Sequence, residues 1–312
     1  MEGGRFVHIY IIKRLLQAIP VLFIVTIITF SLVHIMPGDP ALIMAGEDAD
    51  PETVERMREA MGLHRPIHEQ YLDWLSGVLQ GDLGTSLRDH RPVLPSILQR
   101  LPATLHLVLA SFVVSFSIGI PIGILSAVKQ NTVIDSIARV FALLGISLPN
   151  FWLGLMLMFI FSHRLQLLPA SGSGTIWHLI MPAIALGTAS AGLITRLTRS
   201  SMLEVIRQDY VRTARSKGLG EKAIIYKHAL KNAMLPVVTI VGLQLAARLG
   251  GSVIVETVFA YPGMGRFAFE RMMARDMPMI MGILFVFAVI FIVINLITDI
   301  CYGFLDPRIR YD

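Results

Sequence analysis

Apolar residues run along this chain in long blocks separated by shorter polar stretches. Six blocks reach the roughly 20 mostly apolar residues that a helix needs to cross a bilayer. They cover 9–36, 104–128, 134–162, 178–197, 233–259 and 279–304. The expected fold is all-α: a polytopic membrane protein with six transmembrane helices and an external helical lobe between the first two. Gly119-Ile-Pro-Ile-Gly123 sets small residues four apart in the second span, which lets helices approach closely, and Pro121 predicts a kink. Pro149-Asn150 in the third span, and Pro182 with Gly187 in the fourth, predict breaks whose freed backbone groups need protein or water partners.

Composition fixes the class and charge fixes the orientation. Hydrophobic residues make up 54% of the 312 and charged residues only 16%, with a mean hydropathy of +0.65. That excludes an ordinary soluble domain. The net charge of +5 is not a nucleic-acid signature, because the cations sit in loops beside spans. Lys13 and Arg14 precede the apolar part of the first span, Lys129 lies in a short loop, and Arg308 and Arg310 follow the last span. Both termini are therefore expected in the cytoplasm, although Arg266, Arg271 and Arg275 in the external loop 259–278 run against the rule. The first apolar run is too long for a signal peptide and has no small-residue cleavage site, so none is expected. The single Cys301 cannot form an internal disulfide.

The expected segments are a cytoplasmic N-terminus with the first span over 1–36, an external lobe over 37–103, a transmembrane domain over 104–304 and a cytoplasmic tail over 305–312. The lobe is acidic, with Asp39, Glu47, Asp48 and Asp50 ahead of a helix start at Pro51 and a second helix over His64–Trp74 opened by Pro66. Between the fourth and fifth spans, the loop 201–232 carries Arg207, Arg212, Arg215, Lys217, Lys222, Lys227 and Lys231 against Glu204, Asp209 and Glu221. So many cations mark it as cytoplasmic. Its interior predicts two short helices, about Asp209 to Lys217 and Glu221 to Asn232, joined at Gly218 and Gly220.

This loop resembles that of permease subunits in bacterial ATP-driven (ABC) importers, whose general form is Glu-Ala-Ala-x3-Gly-x9-Ile-x-Leu-Pro. Anchored on Gly218, the chain has Arg212-Thr213-Ala214 and His228-Ala-Leu-Lys231, and matches at Ala214, Gly218 and Leu230. The wording Asp209-Tyr-Val-Arg-Thr-Ala-Arg-Ser-Lys-Gly218, then His228 to Pro236, is similar to the peptide/opine/nickel branch. Further likenesses are Ile12-Lys-Arg-Leu-Leu, Pro37-Gly-Asp-Pro40, Gly81-Asp-Leu-Gly84, Tyr261-Pro-Gly-Met-Gly265 and Asp306-Pro-Arg-Ile-Arg310, so the resemblance covers essentially the whole chain. It implies that the loop is a coupling helix docking on a separate ATPase, through Asp209, Arg212, Ala214, Gly218, His228 and Leu230. It also implies a bacterial inner-membrane location, a homologous second permease, two ATPase subunits that hold ATP and Mg, and an external solute-binding protein that meets the lobe. The implied cargo is a di- or oligopeptide, glutathione included. Nickel, nickel chelates and opines are the alternatives within the branch.

Candidate transport chemistry lies in the fifth span, where Gln244, Arg248, Ser252 and Glu256 recur every four residues. Each step turns about 40°, so the four share an arc of about 120°. A mid-span cation facing lipid costs at least a few kcal/mol, which places the stripe at the interface with the partner permease, along the translocation path. Arg248 there either pairs with an acid of a neighbouring helix or receives the carboxylate of a passing peptide.

Other chemistry is missing from the sequence. No G-x-x-x-x-G-K-[ST] is present, so the chain is expected to be non-catalytic and to bind no cofactor itself. His64 and His68 are separated by Arg65-Pro66 and lack a third ligand, so no metal site is expected. The rival from another class is an ion-coupled secondary transporter. It needs membrane-embedded acids, for which Glu256 and Asp299 are the candidates, both near span ends.

Overall fold

The computed structural model describes residues 2–35, 39–46 and 48–305. Met36, Pro37, Gly38, Glu47 and residues 306–312, with Arg308 and Arg310, lie outside the described residues. So do the side chains of residues 2–12, 33, 243, 245–247 and 299–305, among them Asp299 and Cys301. In chain order the helices are α1 (Glu2–Ile35), α2 (Pro40–Ala45), α3 (Pro51–Ala60), α4 (Ile67–Leu79), α5 (Val93–Val128), α6 (Val133–Ser147) and α7 (Asn150–Leu157). They continue with α8 (Trp177–Ile206), α9 (Asp209–Ser216), α10 (Glu221–Ala223), α11 (Leu230–Val258), α12 (Met264–Met273) and α13 (Met277–Leu305). Among the described residues the β contribution is an isolated bridge between Thr85 and Pro92.

Among the described residues, four helices are long and apolar enough to cross a membrane: Lys13–Leu32 of α1, α5, α8 and Met277–Thr298 of α13. The pair α6–α7 makes a fifth if it is one span. The sixth expected from the sequence falls on α11, which is 29 residues long. At 1.5 Å per residue that length suffices for a core of about 30 Å.

The breaks are unequal. At Pro149 the chain turns by 103° between Val133–Ser147 and Asn150–Arg164, far more than a kink. A proline disfavours helical backbone in the residue before it, and Leu148 is accordingly extended, with ψ 127°. Pro182, in contrast, leaves α8 unbroken, which differs from the sequence expectation. It stands close to the start of its helix, so its missing N–H removes one early hydrogen bond. The expected boundary after Asn232 is also absent. Glu221–Ala223 passes through a wider turn at Ile224–Ala229 directly into α11, because no glycine or helix stop separates the polar segment from the apolar one.

Two compact units emerge, one from residues 1–103 and 262–303 and the other centred on 104–261. In the first, Leu83, Val93 and Ile97 share a buried core with Met264, Phe267, Met279 and Ile283. Its short helices are capped as their sequences dictate. Asp39 accepts from Ala41 N (3.0 Å) ahead of Pro40, and Asp50 accepts from Thr53 N (2.8 Å) ahead of Pro51. In the second unit α8 is central, packed against α6, α7 and α11. The Gly119/Gly123 pair of α5 meets α8 so closely that a Cβ at either would lie 2.8 Å from the Ala191 or the Thr195 carbonyl. Those glycines serve packing.

Candidate functional site

The polar stripe of α11 is buried inside its own unit. Arg248 is 7% exposed, and its Nη1 donates to Ser111 Oγ of α5 (3.1 Å) and to the Leu186 carbonyl of α8 (2.8 Å). Its guanidinium lies 5.0 Å from the Phe112 ring centroid. One turn away, Ser252 Oγ donates to the Leu249 carbonyl, and Glu256, fully buried, accepts from Thr104 Oγ1 at 2.7 Å. Gln244 Oε1 accepts from Ser190 Oγ at 3.2 Å. Within this chain the stripe, expected beside a partner permease along the translocation path, faces α5 and α8. A buried polar row is satisfied most cheaply by the nearest hydroxyls and carbonyls, and the tight packing of α5 on α8 supplies them.

Among the described residues no acid pairs with Arg248. A neutral carbonyl, a hydroxyl and an aromatic face surround the cation instead. Its Nε and Nη2 have no hydrogen-bond partner among the described residues. Such a group has the chemistry to accept an anion. Beyond the end of α11, burial raises the Tyr261 phenol pKa, and the charge of Glu256 raises it further.

The loop of the second unit forms an elbow. After α9, Gly218 takes φ +80°, and the amides of Gly218 and Leu219 cap the Arg215 and Ala214 carbonyls at 2.9 and 3.4 Å. This is the glycine-terminated helix stop that the sequence implied. Three contacts close the elbow. Val211, Ala214 and Ile224 form a small buried cluster. Arg215 Nε donates to Glu221 Oε1 at 2.7 Å, which lowers the Glu221 pKa. Asn232 Nδ2 donates to the Tyr210 hydroxyl at 2.7 Å.

Of the six loop residues singled out, Asp209, Arg212 and Gly218 are exposed, whereas Ala214 is buried within the elbow. His228 and Leu230 are half-buried, and Leu230 packs against the cluster of Ile124, Met202 and Ala233. The structure adds Tyr226 (61% exposed) and Leu219 (42%) to the outer surface. An aromatic in so basic a loop was the signal that sequence reading passed over.

A second polar centre was missed altogether. Asp135, fully buried near the start of α6, receives Arg199 in a two-pronged pair, both contacts at 2.8 Å. It also accepts from Ser126 Oγ (2.6 Å) and from Asn131 N (3.0 Å). One carboxylate thus joins the end of α5, the α5–α6 turn, α6 and α8. Asp135 lay inside the expected third span, so an acid in an apolar block was the available clue.

The first unit has its own ionic network. Buried Asp276 accepts from Ser86 Oγ (2.5 Å), Leu87 N (3.1 Å) and Arg271 Nη1 (3.1 Å). Arg271 also donates to Asp89 at 2.9 Å. Partial burial favours the neutral form of Asp89, but its hydrogen bonds with Ser86 and Arg271 prevail and hold its pKa at about 2. Arg266 pairs with Glu270 at 2.7 Å. Two of the arginines that ran against the charge rule are thus neutralised locally. His64 lies 3.0 Å from Glu55, and among the described residues no three His, Cys, Asp or Glu gather as a metal site would require.

Comparison with known proteins agrees with this architecture. The dipeptide transport system permease protein DppB of Alkalihalophilus pseudofirmus is 44% identical over 97% of this chain and 99% of its own length. The glutathione transport system permease protein GsiC of Escherichia coli K12 is 43% identical, again over 97% and 99%. In fold, the chain is similar to the inward-facing MetNI methionine ABC transporter, with TM-score 0.56 and 18% identity over 66% of this chain and 94% of that one. Residues 119–311 match the family model of the binding-protein-dependent transport system inner membrane component, and residues 7–108 match its N-terminal companion. This chain belongs to that family of multi-pass inner-membrane transport permeases.

Proposed function

We propose that this chain is the membrane-spanning permease subunit of an ATP-driven importer for di- or oligopeptides, glutathione among them. The observation that carries the reading is identity above 40% with both a dipeptide and a glutathione permease along nearly the full length of each. In this reading the chain forms half of the translocation path beside a homologous second permease and catalyses no reaction itself. Two ATPase subunits bind ATP and Mg, and an external solute-binding protein delivers cargo to the acidic lobe. Both termini and the loop 201–232 lie in the cytoplasm. The elbow of α9 and α10 docks on an ATPase through Asp209, Arg212 and the exposed Tyr226, and ATP-driven closure moves it as one body. Because three contacts lock the elbow to the start of α11, its motion reaches Arg248 along a continuous helix.

Arg248 meets the peptide carboxylate when the path opens, through the Nε and Nη2 edge of its guanidinium, which carries no hydrogen bond among the described residues. A buried cation repels bare Ni²⁺, which favours a peptide or an anionic chelate. Uptake of a labelled dipeptide into vesicles carrying the complete transporter is expected with ATP and binding protein in the absence of any ion gradient. Uptake that instead follows a proton or sodium gradient, with no need for ATP, would establish the secondary-transporter reading.

Gly218→Val tests the elbow. No atom lies within 4 Å of a Cβ built at Gly218, so the substitution acts through φ +80° alone. A β-branched residue held in that region costs about 1–3 kcal/mol. The expected outcome is an assembled complex in which ATP hydrolysis persists while uptake falls at least severalfold. Unchanged uptake would remove Gly218 from the coupling path.

A further inference from the structure

A cavity of about 350 Å³ opens between α6 and α8, bordered on one side by Ser126 and Arg199 of the Asp135 centre. Arg139, Arg196 and Arg199 line it, together with Ser200, Leu143 and Ile146. Arg199 is committed to Asp135. Arg139 reaches Ser136 at 3.2 Å and stands 3.7 Å from Asp135, with more than half of its side chain exposed. Arg196 has no hydrogen-bond or ion-pair partner among the described residues. Three cations thus face one carboxylate, an excess of two positive charges around a concave space.

The rim of this cavity is apolar. Leu143 is 64% exposed and Ile146 40%, on a helix that also exposes Ile137 and Val140. Arg139 follows the cap residue Thr132 by seven positions, so it lies about 10 Å along α6. That is a depth from which a long cationic side chain reaches the headgroup layer while its stem stays in hydrocarbon. A soluble anion would use the cations but not the exposed leucine and isoleucine. A plain hydrocarbon surface would not carry the arginines.

We propose that this cavity binds the phosphate of an anionic membrane lipid, with Arg139 and Arg196 on the phosphate oxygens and the acyl chains along the outer face of α6. Basic pockets between membrane helices recognise anionic headgroups in this way. A lipid seated there sits against α6 and α8, the helices that Asp135 and Arg199 join, and so stabilises the same junction from outside. The site depends on the chain being embedded in a bilayer and not on which solute it moves.

The test uses the assembled transporter in detergent supplemented with phosphatidylglycerol or phosphatidylcholine, read by native mass spectrometry. The wild type is expected to retain phosphatidylglycerol preferentially. Arg139→Gln with Arg196→Gln should weaken that retention roughly thirtyfold, the contribution of two cations near a membrane surface. Arg139→Lys with Arg196→Lys should keep most of it, which shows that charge and not folding is at issue. Equal retention by the wild type and the double glutamine variant would overturn the proposal. So would displacement of the lipid by millimolar inorganic phosphate, which marks a soluble-anion site. Loss of the ATPase subunits with lipid retention unchanged would also overturn it, by assigning the arginines to an acidic protein surface.

Discussion

Asp135→Ala is expected to strip this permease of most of its folded population, the largest effect of any single substitution in the chain. The carboxylate is fully buried and takes hydrogen bonds from Arg199, Ser126 and the Asn131 amide. Removing one partner of a buried ion pair costs about 3–5 kcal/mol, mostly because the other charge is left uncompensated. Membrane abundance and the thermal unfolding of the purified complex measure the loss. Replacing both partners, Asp135→Leu with Arg199→Leu, should recover much of it, since apolar residues of similar volume often substitute for a buried pair. An Asp135→Ala protein that melts with the wild type would show that the pair is dispensable.

Arg248→Ala is expected to reduce uptake at least about tenfold while the complex still assembles and hydrolyses ATP. Hydrogen bonds to a charged group contribute about 1.5–3 kcal/mol each, and Arg248 makes two besides resting on Phe112. Arg248→Lys keeps the charge but loses the planar guanidinium with its further Nε and Nη2 donors, so it should restore uptake only in part. Peptides with an amidated C-terminus separate the two roles of this residue. If Arg248 receives the carboxylate, the wild type discriminates against amidated peptides and Arg248→Ala does not. A complex that falls apart on Arg248→Ala would make the residue a clasp between helices, and undiminished uptake would exclude both roles.

Much of the fold was legible in the chain because a bilayer leaves few choices. Backbone polar groups in hydrocarbon must be satisfied internally, so long apolar blocks become helices, and α1, α5, α8 and α13 follow. The helix starts at Pro51 and after Pro66, and the stop at Gly218, were equally local, since caps and positive φ depend on neighbours in sequence. The size of the turn at Pro149 was not legible: a proline forbids helix before it but does not set the angle at which the next helix leaves. Nor was the join of the loop to α11, where no residue signals a boundary.

The candidate sites divide along the same line. The sequence alone determined that Gln244, Arg248, Ser252 and Glu256 share one side of a helix, because a period of 3.6 residues is fixed by the backbone. It also determined that a basic loop with a glycine elbow interrupts the apolar blocks. Only the tertiary structure decided what that side meets, Ser111 and Phe112 of α5 and Leu186 and Ser190 of α8. It alone brought Asp135 to Arg199, 64 residues away. The pairing of a buried charge depends on which helices pack together, and that is settled by small residues such as Gly119 and Gly123 allowing α5 to lie against α8. No spacing along the chain encodes it.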